Sequence, residues 1–283
     1  MNIEEHAQLE QKTGSRLIKK ENIWWRQVRP SFYRPLLPFE SYNYGEIIRC
    51  FPPWQTVQFP VKEESRANSQ LHMIVFEDIQ SYQLDTLNRS RRHDIKNAIK
   101  NRVTIRRIHD ATPFISQAYS IYQSFYQRTH YKFQKNRNQK EKFDDWVHIL
   151  MSFPDVYLLG AYLASELIAI GVCCIVDRIL IYKSMINTKK SIPFRAQDLL
   201  LHYIREEIAK KENVDLIFMG MVDREPGINN FKLWRGAKIL SLPAHLKIPV
   251  PVKSVLNNFC KSEYAFMIGE LPKQIYEEAK RFK

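Results

Sequence analysis

From Leu84 onward, apolar and polar positions follow one another in regular blocks. Apolar residues at helical spacing predict helices over 82–100, Ala111–Thr129, 141–152, 194–211 and 226–235. Alternating or continuous apolar runs predict strands at Val103–Ile108, Val156–Leu163, Leu167–Val176, Arg178–Ile186, Val214–Met219 and Ala237–Leu242. The joins around Ala164–Glu166 and Val176–Asp177 are too short for a crossover, so the three consecutive strands form antiparallel hairpins. This order predicts an α+β fold built on a mixed α/β sheet.

The chain before this region has a different composition. Residues 24–82 are rich in aromatic residues and prolines, which exclude long helices and favour short strands such as Thr56–Val61 and Leu71–Phe76. Residues 1–23 are polar, as in a mobile arm or a single surface helix. We therefore expect an N-terminal arm and aromatic-rich subdomain over 1–82, a main domain over 83–245, and a C-terminal extension over 246–283 that packs on the core.

Charge is the unusual bulk property. The formal net charge of +13 favours anionic partners, which include nucleic acid, an anionic membrane surface and phosphate-bearing cofactors or carriers. The longest apolar run, Leu167–Val176, is half of the ~20 residues that a membrane-spanning helix needs. Because the N-terminus is also polar, we expect a cytoplasmic protein. The four cysteines and eight histidines show no ligand spacing, so we expect no metal site and read Cys173 and Cys174 as buried thiols.

A basic stripe follows the first helix of the main domain. Its cations recur at helical spacing and continue onto the next strand, and five of them are candidate polyanion ligands: Arg89, Arg92, Lys96, Lys100 and Arg106. A solvated helix face explains the same pattern. Arg91 falls in the apolar stripe, so we expect it to pair internally. The segment 131–137 interleaves aromatic residues with cations, which suits single-stranded nucleic acid or a flap over a cleft.

Four segments together carry a family resemblance. They are LNRSRRHDIKNAIKNRVTIRRI (87–108), LLGAYLASELIAIGVCCIVDRILIYKSMIN (158–187), LLLHYIREEIAKK (199–211) and NNFKLWRGAK (229–238). In order and spacing they resemble the FemAB-like branch of the GNAT acyltransferases, which includes peptidoglycan-bridge aminoacyltransferases. The resemblance implies a GNAT-like fold and an N-acyltransferase. Such an enzyme moves an acyl or aminoacyl group to a primary amine by direct attack, without a covalent enzyme intermediate.

One departure from ordinary GNAT enzymes leaves the donor open. Those enzymes hold the pyrophosphate of coenzyme A in an R/QxxGxG/A turn, whereas residues 187–198 read NTKKSIPFRAQD, without glycine. FemAB-like proteins also lack that turn, and their donors include aminoacyl-tRNA. The resemblance therefore allows acyl-CoA, an acyl carrier protein or aminoacyl-tRNA as donor. The turn itself predicts an anion site, where Lys189, Lys190 and Arg195 flank a helix N-terminus, or else a solvated basic turn.

Two further groups of residues are candidate site residues. In the fold that the resemblance implies, the strand with Tyr182, Lys183, Ser184 and Asn187 faces the reaction cleft. Backbone N–H groups near Lys183–Met185 would hold the acyl carbonyl there, and Tyr182 or a water would assist protonation of the leaving group. The segment after the next strand supplies the second group, which is Asp223, Asn229, Asn230 and Lys232. Asp223 would act as a base or orient the acceptor amine, Lys232 is a catalytic candidate that would bind a carboxylate or phosphate, and Asn230 is a candidate anion ligand. Ordinary core and surface packing remains the alternative for each residue.

Two functions outside catalysis are also compatible with these residues. A GNAT-like module without activity would bind RNA or another polyanion through its basic surface. Peripheral attachment to an anionic membrane is a third possibility, although no amphipathic anchor stands out.

Overall fold

A computed structural model describes residues 1–77, 79–129, 137, 139–271 and 275. The elements, in chain order, are α1 (Ile3–Lys12), β1 (Leu17–Lys20), β2 (Ile23–Arg29), β3 (Phe32–Pro35), α2 (Tyr44–Cys50), β4 (Thr56–Pro60), β5 (Ser69–Phe76), α3 (Arg89–Lys100), β6 (Val103–Arg107), α4 (Ala111–Thr129), α5 (Lys140–Met151), β7 (Val156–Leu163), β8 (Glu166–Val176), β9 (Ile179–Asn187), α6 (Ala196–Tyr203), β10 (Leu216–Met221), α7 (Pro226–Leu233), β11 (Lys238–Lys247), α8 (Val250–Phe259) and α9 (Lys261–Ile268). The predicted mixed α/β fold is confirmed.

The chain forms two compact units. Unit 1 comprises Met1–Gly14 and Val75–Gly220, and unit 2 comprises Ser15–Ile74 and Met221–Lys283. Thus the first helix belongs with the central part of the chain, while the aromatic-rich segment groups with the C-terminal part. Within the described residues, no helix combines the length and the apolarity that crossing a membrane requires.

Unit 1 contains the predicted three-strand meander. Its strands are ordered β10-β9-β8-β7-β6, in which β9 and β10 are parallel and the other neighbours are antiparallel. Both hairpins have two-residue turns, and Asp177 and Arg178 have φ of 45° and 71°. Positive φ at both positions matches the right-handed twist of paired strands, which explains the tight connection.

One glycine allows a helix to approach this sheet closely. A Cβ added to Gly171 of β8 would lie 2.6 Å from Leu200 Cδ2 on α6. Leu200 is fully buried, so any larger residue at 171 would displace it. Gly171 therefore brings α6 onto the strands that carry the candidate site.

Two of the predicted helices are shorter in the structure. The first begins at Arg89 instead of residue 82, because the Asn88 side chain accepts a hydrogen bond from the Arg91 N–H and caps the helix there. Leu84–Thr86 form a separate 3₁₀ turn, and Ile99 is 54% exposed although the pattern placed it in the apolar stripe. The helix predicted over 194–211 begins at Ala196, and its α-helical part ends at Tyr203, where a π-helical turn over Ile204–Ala209 follows.

The N-terminal segment is ordered. Residues 3–12 form α1, whose capping box joins Asn2 and Glu5, and its buried face includes His6, Ala7, Leu9 and Glu10. A helix that lies on the surface would expose its charged and polar residues, whereas here His6 and Glu10 are buried together with the apolar residues. The sequence could not indicate it, since the partner of Glu10 lies far along the chain.

Unit 2 is built around aromatic side chains. Its strands follow the order β1-β2-β3-β4-β11-β5, and β4 pairs with β11 from Val57↔Lys247 to Pro60↔Ala244. Trp25 is fully buried and its ring meets Phe51 edge-on at 4.7 Å. Met267 of α9 packs with Phe32 and Leu246, so the C-terminal helices contribute to the core of this unit. The basic segment 131–137 lies outside the described residues except for Arg137.

Candidate functional site

Strand β9 is paired along its whole length on one side and over a short stretch on the other. Its pairs with β8 run from Val176↔Ile179 to Ala169↔Asn187, whereas its pairs with β10 run only from Ile179↔Leu216 to Ile181↔Phe218. The register with β8 shifts between Val172, opposite Ser184, and Cys173, opposite Tyr182. Lys183 is therefore the extra residue of a β-bulge, immediately after the pairing with β10 ends.

At the bulge, the neighbouring side chains of Lys183 and Ser184 contact different helices. Lys183 forms an ion pair with Glu10 of α1, and both side chains are about nine-tenths buried, with exposures of 11% and 9%. The Ser184 hydroxyl lies 3.4 Å from that of Tyr122 on α4, whose pKa is raised by burial. Tyr182 is half-buried. The Lys183 ammonium is thus already neutralised by Glu10, which leaves backbone and hydroxyl groups as the polar groups at this point.

Asn187 closes the far end of β9. It is buried, and its main-chain and side-chain oxygens both accept hydrogen bonds from Arg128 Nη2, at 3.1 and 3.0 Å. Its Nδ2 donates to Ser191 Oγ at 2.9 Å. These contacts hold the start of the glycine-free turn in place, which is a positioning role for Asn187.

The cations predicted to bind an anion next to α6 have different surroundings. Lys190 is paired with Glu166, and Arg195 Nε lies 3.2 Å from Asp94 Oδ1. Arg195 is also in the left-handed conformation, with φ of 54°, directly before α6 begins at Ala196. Lys189 is exposed and has no ion pair within the described ranges. Acids distant in sequence thus neutralise two of the three cations.

Asp94 joins the turn to the basic helix. Arg91 Nη1 lies 2.8 Å from Asp94 Oδ2 and 3.5 Å from Asp198 Oδ1, which confirms the expected internal pairing of Arg91. Asp94 and Asp198 are buried. The resulting network of Arg91, Asp94, Arg195 and Asp198 fixes the beginning of α6 against α3.

The exposed cations of the basic stripe are largely unpaired. Arg92 lies 3.7 Å from Asp85, and the Arg106 guanidinium lies over the Tyr162 ring at 5.1 Å. Arg89, Lys96 and Lys100 are exposed and have no ion pair in the part of the chain that the structure describes. This face of α3 keeps its charge available to an anion.

The loop before α7 belongs to unit 2 and is organised by Asn229, one of the candidate residues of this segment. Asn229 is fully buried; its Oδ1 accepts from the Asp223 N–H at 2.8 Å, and its Nδ2 donates to the Asp223 carbonyl oxygen at 2.6 Å. The Asp223 carboxylate accepts from the Glu225 N–H at 2.9 Å. Asp223 is thereby held in a fixed conformation next to α7.

Among the candidate residues of this loop and of α7, Lys232 is the one whose pKa is strongly shifted. Burial lowers the pKa of Lys232 to about 8, and the negative charge of Asp223 partly offsets that effect. Its ammonium has no hydrogen bond or ion pair among the described residues. Asn230 Oδ1, on the same helix, is buried without a donor there. A half-buried lysine with a lowered pKa can exchange a proton near neutral pH, which is a chemical capacity that an ordinary surface lysine lacks.

The candidate residues therefore form two groups. Unit 1 contains Tyr182, Lys183, Ser184, Asn187, the cations at 189, 190 and 195, and the basic stripe; unit 2 contains Asp223, Asn230 and Lys232. No pattern in the sequence indicates the bulge at Lys183 or the hydrogen bonds of Arg128, because they depend on a strand register and on a partner distant along the chain. Within the described residues, no cluster of three or more His, Cys, Asp or Glu side chains could hold a metal ion.

Comparison with known proteins identifies the fold. No family model matches the chain, and no curated protein matches its sequence. Among solved structures, the C-terminal domain of a protein assigned as a lysylphosphatidylglycerol synthetase from Agrobacterium fabrum superposes with a TM-score of 0.60 and 8% identity, covering 94% of this chain and 93% of that domain. FemX gives a TM-score of 0.60 and 9% identity over 91% and 94% of the two chains.

A third structure agrees with these two. L-PGS from Bacillus licheniformis gives a TM-score of 0.55 and 14% identity, covering 95% of this chain and 97% of that one. The chain therefore has a GNAT-like fold, which it shares with these three proteins and which its sequence motifs indicated, and the likeness extends over nearly its full length.

The lowered pKa of Lys232 gives a direct prediction. In an NMR titration of lysine side chains, Lys232 should reach half-protonation near pH 8. Asp223→Asn should move this midpoint to lower pH, because the Asp223 carboxylate stabilises the protonated amine. Glu225→Gln, an exposed change in the same loop, serves as the control and should leave the midpoint in place. A Lys232 midpoint near that of an exposed lysine would show that its amine is solvated.

Proposed function

We propose that this protein, with its FemAB-like GNAT fold, is an N-acyltransferase that works at the bulge of β9. It would move an acyl or aminoacyl group from an activated donor to a primary amine by direct attack. The observation that carries the proposal is the end of the β9–β10 pairing at Ile181 and Phe218, one residue before Tyr182 and two before the bulge at Lys183. Strand backbone that has lost a neighbour has N–H groups available to a substrate carbonyl.

The chemistry needs few groups from the protein. The amine nitrogen attacks the carbonyl carbon, a C–N bond forms, and the negative charge on the carbonyl oxygen is stabilised by N–H groups of the segment Lys183–Met185. The C–S bond of a thioester or the C–O bond of an aminoacyl ester then breaks. The Tyr182 phenol gives its proton to the leaving group. The attacking amine loses one proton, which returns to the Tyr182 phenolate through solvent, so protons balance.

The residues around the turn at 187–198 favour one class of donor over another. Because Glu166 and Asp94 occupy Lys190 and Arg195, only Lys189 among these three cations is free to meet a phosphate in the described part of the chain. The turn also lacks the glycines that let a backbone approach a pyrophosphate. Both features favour aminoacyl-tRNA over acyl-CoA, since a tRNA donor can be held through charges elsewhere, including the basic stripe of α3. An acylated carrier protein is the third candidate donor, and the same assay tests it.

The proposal is tested by a donor panel. The protein is incubated with labelled acetyl-CoA, acylated carrier protein and a mixture of aminoacyl-tRNAs, each with a primary-amine acceptor and, in parallel, with phosphatidylglycerol vesicles as hydroxyl acceptor. We expect label transfer to the amine from aminoacyl-tRNA, with kcat reduced about 10²-fold in Tyr182→Phe. Tyr162→Phe, on β7, is the matched control and should retain activity.

Three outcomes of the panel would count against parts of this account. Absence of transfer from every donor would refute the enzyme. Transfer that Tyr182→Phe leaves unchanged would remove Tyr182 from the mechanism. Transfer to phosphatidylglycerol alone would replace the amine by a hydroxyl acceptor, as the name of the lysylphosphatidylglycerol synthetase implies for that protein.

A second function, binding of RNA without catalysis, is favoured by one observation. Arg89, Lys96 and Lys100 project from α3 without acidic partners in the described chain, so their charge is not used within the fold. Such a surface would bind the phosphate backbone with strong dependence on salt. This binding is compatible with a tRNA donor, and it becomes the function itself only if no donor reacts.

The RNA-binding surface gives a quantitative prediction. In a filter-binding titration with single-stranded RNA, log K should fall linearly with log salt concentration. The triple variant Arg89→Gln, Lys96→Gln, Lys100→Gln should reduce the slope by about 2, because three phosphate contacts are lost. Lys190→Gln is the control, since its charge is already paired with Glu166. An unchanged slope in the triple variant would show that RNA does not contact α3.

A further inference from the structure

A pocket of about 190 Å³ lies in unit 1 at the C-terminal end of α1. Its wall is formed by Lys12 and Thr13 of α1, by Arg137, and by Lys142, Asp145 and Trp146 on the first turns of α5. Three cations face one carboxylate, so the pocket is positively charged. This volume is more than tenfold the ~10–15 Å³ that a cavity needs to hold one water molecule, so the pocket has room for a small polyatomic group.

The wall contains two buried donors without acceptors. The Trp146 side chain is 5% exposed, and its indole Nε1–H has no acceptor in the described chain. The same holds for Arg137 Nε, whose guanidinium lies 4.4 Å above the Trp146 ring. Buried N–H groups are normally satisfied, so two of them at one pocket mark a place where an acceptor is missing.

The exposed charges at the rim are also available. Lys142 and Asp145 are exposed and have no ion pair within the residues that the structure describes. The Lys12 ammonium lies 5.5 Å from the centroid of the Phe153 ring and forms no ion pair with the residues that the structure describes. The cations at this pocket differ in that respect from Lys190 and Arg195, which acids already neutralise.

These features select an anionic, acceptor-rich ligand. We propose that the pocket binds a phosphate group, either of a small soluble molecule or of a lipid headgroup. Phosphate oxygens accept several hydrogen bonds at once and carry the charge that Lys12, Arg137 and Lys142 would neutralise. An apolar ligand would leave the indole and guanidinium N–H groups unsatisfied, and a cation would be repelled.

The pocket lies one side chain away from strand β9. The Trp146 ring packs edge-on against Tyr122 at 5.5 Å, and the Tyr122 hydroxyl lies 3.4 Å from Ser184 Oγ. A ligand here would therefore lie behind Ser184, separated from it by the Tyr122 ring. The site is distinct from the acyl-transfer site and does not require that the protein be an acyltransferase.

Calorimetric titration of the full chain with inorganic pyrophosphate tests the soluble source. Wild-type protein should bind saturably at one site, and Trp146→Phe and Lys142→Gln should each weaken the affinity about tenfold, because each removes one donor to the anion. Lys140→Gln, an exposed cation on the same helix that does not line the pocket, is the matched control and should bind as wild type. The exposed position of Lys142 keeps the test valid if Trp146→Phe fails to fold.

Sedimentation with phosphatidylcholine vesicles containing phosphatidylglycerol tests the lipid source. Vesicle binding that is lost in Lys142→Gln and kept in Lys140→Gln would assign the phosphate to a lipid headgroup, whereas saturable pyrophosphate binding with the same mutational pattern would assign it to a soluble molecule. Absence of both kinds of binding, or equal losses in Lys142→Gln and Lys140→Gln, would overturn the site. Because the readout is binding, failure here is independent of failure in the transfer assay.

Discussion

The unequal pairing of strand β9 is the constraint on which the candidate site depends. On one side β9 is held by β8 from Ile179 to Asn187, so its position in the sheet is fixed. On the other side the parallel contact with β10 stops at Ile181. A strand that is secured by one neighbour and released by the other has backbone N–H groups beyond the point of release. The bulge at Lys183 reorients these groups without disturbing the rest of the sheet.

Buried polar contacts secure both ends of this released segment. Glu10 neutralises Lys183 at the bulge, and Arg128 with Ser191 fixes Asn187 at the far end. Breaking a buried ion pair by removing one partner commonly costs ~3–5 kcal/mol, so these residues hold geometry and are poor candidates for mobile chemical groups. In the proposed reaction, the backbone, Tyr182 and the charges that remain free would act on the substrates, which suits direct attack by an amine on an already activated donor.

Local features of the chain were predictable, and long-range ones were not. The two hairpins of β7, β8 and β9 could be predicted because a two-residue connection allows only antiparallel pairing of consecutive strands. The order of the motifs indicated the correct fold. The start of α3 was misplaced because Leu84 and Leu87 extend the apolar pattern, whereas the Asn88 cap decides where the helix begins. The bulge at Lys183 depends on register with β8, and the partners of Lys190 and Arg195 are acids elsewhere in the chain. The sequence likewise does not indicate that Glu10 forms an ion pair with Lys183 of β9.

In the proposed reaction, the acyl carbonyl of the donor binds the backbone of β9 at its bulge. The most direct measurement is the amide NMR spectrum of the protein titrated with a non-hydrolysable analogue of the donor that proves active. We expect the amide signals of Lys183, Ser184 and Met185 to shift with saturation, while those of Ile179–Ile181, which pair with both β8 and β10, stay in place. Saturable binding of the analogue with no change at residues 183–185 would contradict it.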